Sequence, residues 1–172
     1  MIGGFMQKEK SFDYIRQAKI DEWNIVVSFV WNTFKHCNAR YYSEQGINSF
    51  VNYLADRTLE NMFTHGQYSV FFAIKDNVIV GLIGIKNFSH VALLFVDYRY
   101  QKNGIGNRLV FEVIARVQQL QHQGGIINVT VNAAPRAEVF YSNIGFRRMG
   151  EPKVVNGMPT VPMKLNLEKI RE

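Results

Sequence analysis

Hydrophobic and polar positions in this chain switch between two periods. Residues 12–18 alternate in the manner of a strand. Trp23, Val26, Val27, Val30 and Phe34 then recur at helical spacing, with Asp21 placed to cap the helix. Ile47, Phe50, Val51 and Leu54 repeat that spacing behind Ser43, a second expected cap. Two strand-like runs, residues 68–75 and 78–86, flank Asp76-Asn77 and predict a hairpin. Residues 91–96 form another apolar run. A helical stripe of Ile105, Leu109, Val113, Val117 and Leu120 follows it.

The pattern continues to the end. Residues 126–131 predict a strand, and Pro135 suits the first turn of a helix that reaches about Asn143 and ends at Gly145. Residues 146–149 begin another strand. The dipeptide Asn156-Gly157 predicts a turn between residues 153–155 and 160–167. The order is strand, two helices, three strands, helix, strand, helix, then two or three strands. That is an α+β arrangement with a mixed, mainly antiparallel sheet.

Length and composition narrow the class. With 172 residues the chain makes one domain, expected over residues 11–168, with an N-terminal extension over 1–10 and a tail over 169–172. No apolar run is long enough for a bilayer, and the first residues lack a signal-peptide pattern. A lone cysteine, Cys37, excludes an internal disulfide framework and points to a reducing compartment, the cytoplasm. The four histidines show no metal-ligand spacing, so no metal is expected. The net charge of +6 raises nucleic acid as a partner, but the basic residues are spread along the chain. An anionic cofactor accounts for the excess as well. An exposed edge strand offers a route to a homodimer.

The segment with the clearest chemistry runs from Val96 to Gly106. A strand ends, two glycines follow at Gly104 and Gly106, and a helix starts. The first amides of a helix have no partner within it, and the dipole adds positive charge there. Glycine lets such amides approach a phosphate closely. The spacing excludes a nucleotide P-loop, because Gly106 is followed by Asn107 and Arg108. It also departs from the dinucleotide fingerprint, whose third glycine falls on Leu109.

What remains, Gln101-x-x-Gly104-x-Gly106 after a strand, resembles the acetyl-coenzyme A signature of the GNAT-type N-acetyltransferase superfamily. Phe140-Tyr141 before Gly145-Phe146, and Pro162-Met163 in a last strand, extend the resemblance over about residues 11–168. It implies a GNAT-like fold with splayed central strands flanked by helices. It implies acetyl transfer from acetyl-CoA to a primary amine by direct attack, with an oxyanion met by backbone N–H near Val96.

By the same resemblance, Leu94, Phe95 and Val96 contact the pantetheine arm. The loop Gln101, Lys102, Asn103, Gly104, Ile105 and Gly106 holds the pyrophosphate. Asn132 lies near the arm, and Tyr141 sits beside the sulfur as general acid. The base is poorly marked: His90, Glu44 and Glu22 are the candidates. Trp23, Trp31, Tyr41 and Tyr42 are candidates to line an acceptor pocket. Cys37 is read as packing rather than as an acyl carrier. Two rival readings are a silent acyl-CoA sensor on the same fold and a basic nucleic-acid or protein-binding module.

Overall fold

The computed structural model describes residues 12–121, 128–155 and 157–167. The expected extension over 1–10 and tail over 169–172 lie outside the described residues, as do Ile126, Ile127 and Asn156. The elements are β1 (Tyr14–Gln17), α1 (Trp23–Cys37), α2 (Glu44–Leu54), α3 (Arg57–Thr64), β2 (Tyr68–Lys75), β3 (Val78–Lys86) and β4 (His90–Val96). Then come α4 (Ile105–Gln121), β5 (Asn128–Ala133), α5 (Glu138–Ile144), β6 (Arg147–Arg148), β7 (Lys153–Val155) and β8 (Met158–Asn166).

The strands form one sheet in the order β1-β2-β3-β4-β5-β8-β6, and β7 pairs with β8. Every pairing is antiparallel except β4 with β5. Both faces of the sheet are covered, so β2 reads as an unbroken apolar run. Val70, Phe72 and Ile74 pack with Val26, Val30 and Phe34 of α1, Phe50 of α2 and Phe63 of α3. Phe71 and Ala73 point the other way, into a core with Leu109 and Val113 of α4 and Tyr141 of α5.

Local chemistry sets the helix ends. Ser43 caps α2 as expected, accepting from Gly46 N–H at 3.1 Å. Asp21 does not cap α1: Glu22 occupies that position, without a side-chain bond to the helix. Its carboxylate instead takes two hydrogen bonds from Arg16 of β1, at 2.7 and 2.8 Å, and one from Lys19 N–H. That triple engagement, not the helix terminus, decides where its charge goes. Helix α3 was not foreseen, although Asp56 caps it and Leu59 and Phe63 bury one face. Val51 and Leu120, expected on inner faces, are exposed at 39% and 38%, because each lies at the margin of its helix stripe.

The Arg16–Glu22 pair has a measurable consequence. The Arg16 guanidinium holds the Glu22 carboxyl down at about 2. A depressed carboxyl stabilises the fold above its unfolded value of about 4.3, and that contribution fades as pH falls through the folded value. Glu22→Gln is expected to lower stability by about 1 kcal/mol at pH 7, after allowing for solvent screening. Urea midpoints of variant and parent should converge near pH 2. A constant gap across that range would assign the loss to something other than charge.

Candidate functional site

The site begins with a failure of pairing. Strand β4 pairs with β5 only at His90↔Thr130 and Val91↔Val131. Beyond Val91 the strands part, although β4 stays paired with β3 as far as Gly81↔Val96. Asp97 N–H still donates to Val80 O, at 2.9 Å, on the β3 side. Strand alternation therefore turns the backbone groups of Leu94 and Val96 toward the gap. Val96 O is reached there by Gln101 Nε2 at 3.0 Å. The expected splay is present, and it exposes strand backbone that a peptide-like arm can bond.

The glycine loop stands at one end of the gap. Arg108 N–H is the first amide of α4 to find a carbonyl, Gly104 O at 3.1 Å. The amides of Ile105, Gly106 and Asn107 have no helical acceptor. Lys102 and Gly104 both have positive φ, 62° and 79°, which curls the backbone ahead of the helix. Such alternation makes a concave nest of N–H groups suited to an anion. A left-handed conformation at Lys102 is strained for a side-chain-bearing residue, as at many ligand clamps. A Cβ added at Gly104 meets nothing within 4 Å, so this surface is open. At Gly106 it would lie 3.3 Å from the Phe140 ring. The cradle therefore fits a pyrophosphate by its donors, its curvature and its lack of covering atoms.

Two pockets follow the gap. One, of about 540 Å³, lies over the loop and is lined by Leu94, Val96, Gln101, Lys102, Gly104, Ile105, Gly106 and Phe140, among others. The second, of about 810 Å³, lies beyond the splay. Its walls are the end of α1 and the segment after it (His36, Cys37, Arg40, Tyr41, Tyr42), β4 (Leu94 to Val96) with Tyr98, and the segment after β5 (Ala134 to Ala137). Leu94, Val96, Gln101 and Ala137 line both. One groove therefore runs from the loop, past the bare strand backbone, into a chamber with aromatic walls.

The structure gathers most of the expected cofactor residues along this groove. Asn103 turns back, its Nδ2 donating to Tyr100 O at 3.3 Å. Tyr41 and Tyr42 line the chamber, whereas Trp23 is buried against Phe63 and Tyr68. Besides Trp23, Trp31 and Tyr141, which line neither pocket, three expected residues stand apart. His90 lies at the other end of β4, its Nδ1 2.8 Å from Thr130 Oγ1, and lines neither pocket. Burial, helped by Lys86, pushes its pKa down. Glu44 is exposed in the first turn of α2, and Asn132 is exposed opposite Pro162; neither lines a pocket.

Tyr141 is 4% exposed, edge-on to Phe140 and Phe146 at 5.0 and 5.2 Å. It lines neither pocket, whereas its ring neighbour Phe140 lines the one over the loop. Burial alone drives its phenol well above the ordinary range, so it is protonated at neutral pH. No hydrogen bond to its hydroxyl is found among the described residues.

One residue escaped the sequence reading. His36 lines the chamber, stacked on Tyr98 at 5.7 Å and 16° between planes. Its Nδ1 is 2.8 Å from Asn32 O. A carbonyl can only accept, so this contact places a proton on Nδ1, and in the neutral ring Nε2 is the acceptor. The helical spacing put His36 on the polar side of α1, which gave no sign of a pocket.

Among the described residues no cluster of His, Cys, Asp or Glu is placed to hold a metal ion. No described helix is long and apolar enough to cross a membrane. No curated protein matches the sequence significantly.

Solved structures do match in fold. A GCN5-related N-acetyltransferase from Rhodopseudomonas palustris aligns with TM-score 0.73 at 19% identity, covering 91% of this chain and 96% of its own. The PaiA N-acetyltransferase of Thermoplasma acidophilum, solved with coenzyme A, aligns with TM-score 0.68 at 20% identity, covering 89% and 98%. The spermidine/spermine N-acetyltransferase SpeG of Vibrio cholerae aligns with TM-score 0.62 at 12% identity, covering 91% and 94%. The acetyltransferase (GNAT) domain family matches residues 38–167, which include the splayed strands, the glycine loop and Tyr141. With that match over most of its length, the chain belongs to the GNAT acetyltransferase family.

Proposed function

We propose that this protein transfers an acetyl group from acetyl-CoA to a primary amine by direct attack, in a reducing compartment such as the cytoplasm. The observation that carries the reading is the continuous groove from the open amides of Ile105–Asn107, past Leu94 and Val96, to the chamber. The coenzyme A in the PaiA structure supports the choice of donor. Acetyl-CoA would supply an activated thioester, and the rest falls to this chain's own groups.

The loop amides and the helix dipole hold the pyrophosphate. Backbone groups of Leu94 and Val96 fix the pantetheine arm along the strand. Val96 N–H faces the gap, where it can meet charge developing on the carbonyl oxygen. An amine is protonated at neutral pH and must lose a proton before attack. His36, rather than His90, Glu44 or Glu22, takes it through Nε2, directly or through one water. Tyr141 keeps its proton in the resting protein and gives it to the departing sulfur, regaining one from the nitrogen that has attacked; because Tyr141 lines neither pocket, this requires the side chains at the groove wall to shift.

The deciding experiment is calorimetric titration with coenzyme A, joined to an assay of thiol release from acetyl-CoA with candidate amines. Binding without release for any amine would favour a silent sensor. His36→Gln is expected to lower kcat/KM by about tenfold, less than the ~10² of a fully engaged base, because exposure lets water compete. An unchanged pH profile in that variant would remove His36 from the chemistry.

A further inference from the structure

The chamber walls carry an uneven charge. Arg40, Arg136 and His36 line it, and no aspartate or glutamate does. Four other arginines hold a carboxylate: Arg16 holds Glu22, Arg99 holds Asp97, Arg116 holds Glu112 and Arg148 holds Glu138, and of the remaining described arginines (Arg40, Arg57, Arg108, Arg136 and Arg147) only Arg40 and Arg136 share one pocket. Arg40 and Arg136 hold no carboxylate among the described residues. They come from different parts of the chain, one after α1 and one after β5, yet both rest on Tyr41. The Arg136 guanidinium lies 3.6 Å from the ring centroid and that of Arg40 lies 5.0 Å from it. The ring positions both cations, and their mutual repulsion has no local counter-charge. Neither arginine lines the glycine-loop pocket, so the pyrophosphate has its own donors.

We propose that the acceptor is an amine that also carries an anion, a carboxylate or a phosphate, and that Arg40 and Arg136 grip that anion at the mouth of the chamber. This rests on the acetyltransferase reading and names its substrate class. Guanidinium forks match both kinds of oxyanion. A polycationic amine meets the opposite field: two fixed positive charges and no carboxylate to receive its second ammonium. The aromatic walls from Tyr41, Tyr42 and Tyr98 then hold the carbon skeleton between anion and amine.

The test uses the full chain and acetyl-CoA. Free amino acids (glycine, L-methionine, L-phenylalanine, L-glutamate) form one arm, and O-phosphoserine and phosphoethanolamine a second. The amides of the same amino acids, and spermidine, form the contrast. Turnover of a carboxylate or phosphate amine with kcat/KM about tenfold or more above its amide and above spermidine is expected. The two anionic arms separate carboxylate from phosphate. Arg40→Gln and Arg136→Gln should each raise KM for the anionic amine about tenfold, with coenzyme A affinity unchanged by calorimetry. Arg136→Glu should shift preference toward the amide.

Equal or better use of spermidine or the amides overturns the proposal. So does a rise in KM for acetyl-CoA alone, which would give the arginines to the cofactor. If coenzyme A binds but no amine is acetylated, the anionic acceptor is rejected while the cradle stands. If coenzyme A does not bind, both readings fall together.

Discussion

Gly104→Glu is expected to abolish coenzyme A binding and leave the protein folded. Gly104 sits at φ +79, where an L-residue costs about 1–2 kcal/mol. That strain is tolerable in a domain stable by about 5–15 kcal/mol. No clash adds to it, since nothing lies within 4 Å of the new Cβ. The carboxylate, however, would stand on the open face of the loop, where the proposed diphosphate would sit. Like charges about 4 Å apart repel by roughly 1–4 kcal/mol between water and a protein-surface dielectric, and the new carboxylate also competes for the free amides. A loss of at least about 100-fold in Kd should follow, which is roughly 2.7 kcal/mol. Gly104→Ala separates the two effects, because it keeps the strain and omits the charge. Calorimetry and a urea midpoint on both variants decide the matter. A glutamate variant of normal affinity would show that the pyrophosphate lies elsewhere.

Tyr141→Phe is expected to lower kcat about 10²-fold with little change in coenzyme A affinity or stability. The hydroxyl has no partner among the described residues, so its removal leaves no orphaned donor or acceptor. The ring keeps its edge-on contacts with Phe140 and Phe146. A structural role therefore predicts a silent substitution, and an acid role a slow enzyme. Single-turnover rates at saturating acetyl-CoA distinguish them. Full activity in the phenylalanine variant would make Tyr141 a core residue that happens to carry an oxygen.

The residues most legible in the sequence are those whose job is backbone geometry. Gly104, Gly106 and Gly145 mark a loop, a helix entry and a helix exit, and each stands where spacing put it. The fold followed from the same local signals. Helix α3 was passed over although Asp56, Leu59 and Phe63 carry its cap and stripe, because eight residues give little periodicity to read. The acceptor side was hidden for a different reason. Nothing along the chain relates His36, Arg40 and Arg136 to one another. They become neighbours of one chamber only because the segment after β5 returns beside the end of α1. His90 stands at the start of the strand, the end that lines neither pocket, a distinction that sequence does not carry.

The parting of β4 and β5 has a mechanical consequence. Among the described residues, two residue pairs stitch the first four strands to the rest of the sheet. Across that seam Leu109 and Val113 of α4 share one core with Ile83 on one side and Val129 and Val131 on the other. The helix is thus a rivet through two plates, and the thioester's arm, laid along the crack, would be a second fastener.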